Sequence, residues 1–154
     1  MKADYLNQLI DAYREVVHSM LQTEIQKGDV SKITEWTTTK EHMIYITYSG
    51  ELTGFFAIGI SDETARKMVQ QVNPTDAEDE IMALKAEFLK ELAEVTKNKS
   101  FSKLADLTYE VQVEEEIVTP DELPEFQGVG LKVISSSPIG EFDLHMQLNR
   151  TKSR

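Results

Sequence analysis

The amino-acid sequence predicts an α+β domain in which two long helices lie over an antiparallel β-sheet. An amphipathic pattern fills the first 26 residues, residues 42–60 form a β-rich hairpin pattern, and a long helical pattern precedes three strand-like segments. No low-complexity linker and no internal repeat interrupts this order. We therefore predict one domain over residues 1–150, followed by a short basic tail at 151–154.

The first helix is predicted to run from Asp4 to about Gln26, because apolar residues recur at spacings of three and four. These residues are Leu6, Leu9, Ile10, Tyr13, Val16, Val17, Met20, Leu21 and Ile25. Gly28 and Asp29 are typical of a helix end. A short strand from Ile33 to Thr39 is predicted next.

The hairpin comprises strands His42–Tyr48 and Leu52–Ile60, joined by a turn at Ser49-Gly50-Glu51. Its second strand is apolar on both faces, since Phe55, Ala57 and Gly59 alternate with Phe56, Ile58 and Ile60. A strand that is apolar on both faces is typical of the centre of a sheet.

A short helix is predicted after the hairpin, with Ser61 as its N-cap and Asn73-Pro74 at its end. Thr75 is the predicted N-cap of the next helix, and Glu78 would complete a capping box. This helix would run from Asp76 to about Leu104 and measure about 40 Å at ~1.5 Å per residue. Its predicted buried stripe consists of Ile81, Leu84, Phe88, Leu92 and Val95.

Three strands complete the predicted sheet. The first is indicated by alternation over residues 107–114, and the loop Thr119–Pro124 follows it. The others are Val129–Ser135 and Glu141–Leu148. In the last strand Phe142, Leu144, Met146 and Leu148 face one way, and Asp143, His145 and Gln147 face the other.

Charge and composition exclude several classes of function. The 154-residue chain has 27 acidic and 16 basic residues and a net charge of −11, which argues against sequence-independent nucleic-acid binding. No apolar run approaches the ~20 residues needed to cross a bilayer. The first residues lack the apolar core of a signal peptide, and the chain has no cysteine. We expect no membrane association and a location in the cytoplasm.

The long helix carries a polar stripe of Glu87, Glu91, Glu94 and Asn98, at spacings of four, three and four. On a helix these side chains share one face. Paired carboxylates on a rigid element can grip a cation or a lysine or position a water, and they can equally form an ordinary solvated edge. Like charges at these spacings repel one another, so the stripe lowers helix stability.

The sequence indicates no cofactor or metal of its own. His18, His42 and His145 have no neighbours at zinc-binding spacings. No nucleophile-elbow pattern surrounds a serine, and Gly128-Val129-Gly130 lacks the rest of a dinucleotide fingerprint.

Three separated segments carry a resemblance to a known family. The first comprises residues 50–61 with Glu63-Thr64-Ala65 and Met68-Val69. The second comprises residues 91–96 with Lys99. The third comprises Gly128-Val129, Leu131-Lys132 and residues 141–145. Together they resemble the CheC/CheX/FliY family of chemotaxis phosphatases, and its CheX-like members in particular.

The resemblance implies a hydrolase of two-component signalling that removes the phosphoryl group from the aspartate of a CheY-like response regulator. Members carry a Glu-x-x-Asn motif on the long helix. The Glu pairs with a lysine of the receiver domain, and the Asn orients water for in-line attack. The receiver supplies Mg²⁺. The resemblance also implies a homodimer assembled through β-strands.

Carried over residue by residue, the motif Glu falls on Glu91 and the motif Asn falls on Glu94. The small residue usually found four positions later is Asn98 here. An amide both donates and accepts hydrogen bonds, whereas an ionised carboxylate only accepts and adds negative charge near a phosphoryl group. Glu91 and Glu94 are therefore the candidate catalytic residues, with Asn98 and Glu87 as auxiliary ones.

Three hypotheses remain open from the sequence. The chain is an active phosphatase, a CheX-like module that binds a receiver domain without hydrolysis, or an unrelated structural protein.

Overall fold

The computed structural model describes residues 3–151, and in this range three helices pack on one six-stranded antiparallel sheet. The helices are α1 (Ala3–Leu21), α2 (Asp62–Val72) and α3 (Glu78–Asp106). The strands are β1 (Gln26–Ile33), β2 (His42–Gly50), β3 (Leu52–Ile60), β4 (Val111–Val118), β5 (Gly130–Ser137) and β6 (Gly140–Arg150). Their spatial order is β1-β5-β6-β3-β2-β4. The α+β prediction is confirmed.

Strand β3 lies at the centre of the sheet between β2 and β6, as its apolar faces predicted. Phe56 and Ile58 are fully buried in the larger core, which the three helices cover. Helix α1 adds Tyr13, whose ring meets that of Phe142 edge-to-face with centroids 5.3 Å apart. Each large side chain buried in this way contributes roughly 1.5–3 kcal/mol.

A second, smaller cluster covers the opposite face of the sheet. Met43, Phe55, Ala57 and Val118 are buried there beneath Trp36, Tyr45, Leu123 and Phe126. The Trp36 indole N–H donates to the carbonyl of Pro124 at 2.7 Å, and this bond joins the two loops that form the cover. The cover buries two polar residues of β6, Asp143 and His145.

The first helix and the next strand differ from the prediction. Helix α1 ends at Leu21 instead of Gln26, because Gln22 adopts a left-handed conformation with φ of 52°, which ends a helix. Ile25 is nevertheless buried in the core, so its apolar side chain extended the helical pattern past the true end. The predicted strand Ile33–Thr39 is wrong, since β1 occupies Gln26–Ile33.

The start of α3 also differs from the prediction, whereas that of α2 is confirmed. Ser61 accepts a hydrogen bond from the Thr64 N–H at 3.1 Å and caps α2. Helix α3 begins after Ala77, not Thr75. The predicted capping box is absent because Glu78 binds the Arg66 guanidinium through two hydrogen bonds of 2.5 and 2.6 Å.

The buried side of α3 is only partly the predicted one. Ile81, Phe88 and Leu92 are buried and Leu84 is half-buried, but Val95 is 37% exposed. The buried side instead continues through Leu89, Ala93, Thr96, Ser100 and Leu104. Helix α3 reaches Asp106 and ends before Thr108, whose φ is 68°, so β4 begins at Val111.

The end of the described chain remains attached to the sheet. The Thr151 N–H donates to the carbonyl of Glu51 at 2.9 Å, and the Thr151 hydroxyl donates to the carbonyl of Gly50 at 2.6 Å. The remaining predicted tail residues, 152–154, lie outside the described residues.

His145 is the buried group most sensitive to protonation. Its side chain is 0% exposed, and neither ring nitrogen has a hydrogen-bond partner within residues 3–151. Burial lowers the pKa of His145 to about 4, nearby Lys132 acts in the same direction, and Asp143 opposes both. The ring is therefore held neutral beside Trp36, whose centroid lies 5.6 Å away.

We predict that His145 makes stability fall as the pH falls from 6.5 towards 4. The unfolded ring titrates near its ordinary value of 6.5 and the folded ring near 4, so only the unfolded state gains the proton in this window. The free energy of unfolding should be about 2 kcal/mol lower at pH 5 than at pH 7. Urea unfolding at both pH values measures this difference. His145→Leu should remove most of it, and an undiminished difference in that variant would contradict the assignment.

Candidate functional site

Helix α3 holds the polar stripe on a firmly anchored support. The Lys97 ammonium lies 3.2 Å from the carboxylate of Glu115 on β4, which ties the helix to the sheet. The Tyr48 hydroxyl donates to the Ser100 hydroxyl at 2.8 Å. On the other side Lys99 and Lys103 bind Glu15 of α1, and the Lys103 ammonium is the main cause of a lowered Glu15 pKa.

The N-terminal part of α3 is fixed by charges on its neighbours. The Asp62 carboxylate, in the first turn of α2, accepts hydrogen bonds from the Lys85 ammonium at 2.5 Å and from the His42 ring at 2.9 Å. These bonds, the one from Lys85 above all, hold the pKa of Asp62 below its usual range. Contacts along the whole length of α3 therefore fix the rotation of the helix about its axis, and with it the side that faces solvent.

The structure brings the four predicted site residues together on one line of the helix surface. At about 100° per residue, Glu87, Glu91, Glu94 and Asn98 fall within an arc of about 60° opposite the buried side. All four are exposed. Their roles in binding or catalysis stay predictions.

The three glutamates of the stripe have no ion-pair partner within 4 Å among residues 3–151, whereas Glu15, Glu63, Glu78 and Glu115 do. Lys97, close to the stripe in sequence, is turned to Glu115 and does not neutralise it. The stripe is therefore a line of carboxylates without ion-pair partners among these residues, on a rigid element, suited to binding a cationic group of a partner.

Exposed apolar side chains border the stripe, and the sequence pattern did not indicate that they are exposed. Val95 is 37% exposed and Phe101 is 45% exposed on α3, and Val72 at the end of α2 is 55% exposed. A shallow groove of about 200 Å³ separates α2 from α3 and includes Glu87 and Glu91 in its lining. A charged stripe beside exposed apolar side chains fits a protein partner better than a small substrate. The sequence pattern assigned Val95 to the buried side because its spacing from the other apolar residues fits that side.

Within residues 3–151, no three His, Asp or Glu side chains are arranged to hold a metal ion. In the same range, no helix is long and apolar enough to cross a membrane.

No family model and no curated protein matches the chain. Solved structures match it over nearly its whole length. A CheC-like superfamily protein from Shewanella sp. PV-4 aligns with a TM-score of 0.79 at 16% identity, covering 97% of this chain and 99% of that one. The chemotaxis protein CheX from Desulfovibrio desulfuricans aligns with a TM-score of 0.80 at 13% identity, covering 95% and 99%.

The chain has the CheC/CheX-like fold. The CheX-CheY-BeF3-Mg²⁺ complex from Borrelia burgdorferi is also similar, with a TM-score of 0.77 at 18% identity, covering 97% of this chain and 100% of that one. The agreement confirms the fold that the three sequence segments implied. At these identities the likeness is one of fold.

We predict that the stripe lowers stability because its carboxylates repel one another. The triple variant Glu87→Gln, Glu91→Gln, Glu94→Gln should raise the free energy of unfolding by about 0.5–1 kcal/mol at low salt, at a few tenths per removed pair. The gain should shrink at high salt. Urea unfolding at two salt concentrations measures it. Glu15→Gln is the matched control and should destabilise, because Glu15 binds two lysines. A triple variant less stable than wild type would contradict the prediction.

Proposed function

We propose that this chain docks through the α3 stripe on a CheY-like receiver domain and acts on its phospho-aspartate. The observation that carries the proposal is the line of exposed carboxylates, without ion-pair partners among the residues described, on the long helix of a CheX-like fold. The similar protein from Borrelia burgdorferi was solved in complex with CheY, BeF3 and Mg²⁺, which supports a receiver as the partner.

Glu91 is the residue proposed to pair with a lysine of the receiver. It is exposed and has no competing cation within residues 3–151, so its carboxylate is available to a partner. Val95 and Val72 beside it offer apolar contact, which a charged stripe alone would lack. Mg²⁺ is expected on the receiver, where it would neutralise the phosphoryl group. The expectation that this chain has no cofactor of its own stays a prediction.

Hydrolysis requires a water molecule to attack phosphorus in line with the bond to the aspartate oxygen. That bond breaks as the water oxygen joins phosphorus, and the products are free aspartate and inorganic phosphate. The role proposed for the Glu94 carboxylate is to accept a hydrogen bond from this water and to orient it. It offers no N–H to the phosphoryl oxygens, which an amide would do. The nearest amide on the stripe is Asn98, about 6 Å further along the helix.

The second candidate function is receiver binding without hydrolysis, and the identity of residue 94 favours it. A carboxylate facing a phosphoryl group across a few ångströms of partly dry interface is repelled by several kcal/mol. The docking role of Glu91 does not depend on this step. Binding and hydrolysis are therefore separable, and different residues test them.

We predict that Glu91→Gln weakens docking. Loss of one interfacial charge pair should lower the affinity for a beryllofluoride-activated receiver about tenfold, and the wild-type affinity should fall with salt. Isothermal titration calorimetry measures both effects. Glu35→Gln removes the same charge from the loop on the opposite face of the sheet and should leave the affinity unchanged. Equal losses in the two variants would show a nonspecific charge effect and contradict docking through α3.

We predict that Glu94→Asn accelerates dephosphorylation relative to the wild-type chain. The substitution restores an N–H donor and removes a negative charge at the water-orienting position. The expected rise in the rate of phospho-receiver decay is at least tenfold, measured by loss of label from a phosphorylated receiver. Glu94→Gln is the control, since it removes the charge but places the amide one bond further out.

The outcomes of that assay separate the two candidate functions. Acceleration by wild type that is lost in Glu91→Ala supports the phosphatase. Binding with no acceleration by wild type supports the binding module. No binding by any variant overturns both.

The assembly and location expected from the sequence also remain proposals. Strands β1 and β4 lie at the two edges of the sheet, and an open edge can pair with a second copy. A homodimer joined through strands is compatible with this arrangement, and sedimentation velocity tests it. Location in the cytoplasm stays a prediction.

A further inference from the structure

A large groove lies away from α3, between α1 and the β1–β5 side of the sheet. Its volume is about 1000 Å³. Its floor is apolar and comprises Leu6 and Ile10 of α1, Leu131 and Val133 of β5, and Met146 of β6. The groove exists because the sheet extends beyond α1, which leaves the helix-side face of β1 and β5 without a helix above it. Apolar clefts of roughly 300–1,000 Å³ are typical of small-molecule sites.

A bulge in β1 places two lysines along this apolar groove. Lys27 pairs with Ser135 and Val30 pairs with Val133, so β1 contains one residue more than β5 over this interval. In a regular strand residues 27 and 30 would face opposite sides, but the extra residue brings Lys27 to the side of Val30 and Lys32. Gly28 permits the bulge, because a Cβ there would lie 2.3 Å from the carbonyl oxygen of Ile134.

The charge of the groove is opposite to that of the protein. Its fourteen lining residues include two lysines and no carboxylate, in a chain with 27 acidic residues. Neither Lys27 nor Lys32 has an ion-pair partner within 4 Å among residues 3–151. Four neutral amide side chains complete the polar part of the lining: Asn7, Gln127, Gln147 and Asn149.

We propose that this groove binds a single-chain amphiphile with an anionic head group, such as a fatty acid. The apolar floor takes the hydrocarbon chain, and Lys27 or Lys32, which pair with residues four apart on β5, binds the carboxylate. A cationic amphiphile is disfavoured because the described lining of the groove contains no carboxylate. A purely apolar ligand would leave the lysines without a partner.

Dodecanoate is the probe that tests the site, with octanoate, decanoate, dodecanol and dodecyltrimethylammonium for comparison. Calorimetry should show saturable binding of one dodecanoate per chain below about 1 mM. Affinity should rise up to about fourfold for each added CH₂. The methyl NMR signals of Ile10 and Val133 should shift on titration. Dodecyltrimethylammonium should bind at least tenfold more weakly than dodecanoate.

Matched variants separate the head-group contact from general charge. Lys27→Ala with Lys32→Ala should weaken dodecanoate binding at least tenfold and leave dodecanol binding unchanged. Lys67→Ala with Lys99→Ala removes the same charge elsewhere and should leave dodecanoate binding unchanged.

Val30 is 50% exposed, so replacing it should preserve the fold. Val30→Glu should abolish dodecanoate binding, while Val30→Gln should retain it within threefold.

Several results would overturn the proposal. Absence of saturable binding, equal binding of the anionic and cationic probes, or methyl shifts confined to other parts of the molecule would each exclude the site. Dimers that dissociate in Val30→Glu and do not respond to dodecanoate would show that a second copy covers the groove. Increased self-association of the double lysine variant without any probe binding would show that the lysines only protect the edge of the sheet.

Discussion

The burial of one side of α3 against the sheet is the constraint on which the functional surface depends. Leu92, Thr96 and Ser100 are buried there, and the helix can rotate only if they leave the core. Because α-helical geometry fixes the angle between residues, burying one side decides which residues face solvent. The stripe of Glu91 and Glu94 is exposed for this reason, and ion pairs to α1 and β4 hold it at a fixed orientation.

The same packing separates two kinds of surface on a strongly acidic protein. Over the covered part of the sheet, α3 presents carboxylates that have no ion-pair partner in the described part of the chain, and a margin of exposed apolar side chains. Beyond α1 the sheet continues for two strands without a helix, and a bulge turns lysines towards the apolar groove. Charges of opposite sign are thus kept at different ends of the molecule, where they can select different ligands.

Much of the fold was predictable because local patterns agree with the tertiary structure. The hairpin, the central position of β3, the Ser61 cap and the long helix all follow from periodicity and cap residues. Errors arose where a tertiary contact replaced a local one. Glu78 binds Arg66 instead of completing a capping box, and buried Ile25 extended a helical pattern that Gln22 ends.

The sequence alone determined the class of fold and the common face of the four stripe residues, since both depend on periodicities that are local to each element. Tertiary structure decided which side of α3 is buried, and it exposed Val95 against expectation. It also decided that Lys97 binds Glu115 and not a carboxylate of the stripe. The groove beside β1 depends on strand order and on a bulge in register, which arise from pairing between distant segments and leave no periodic signal in the chain.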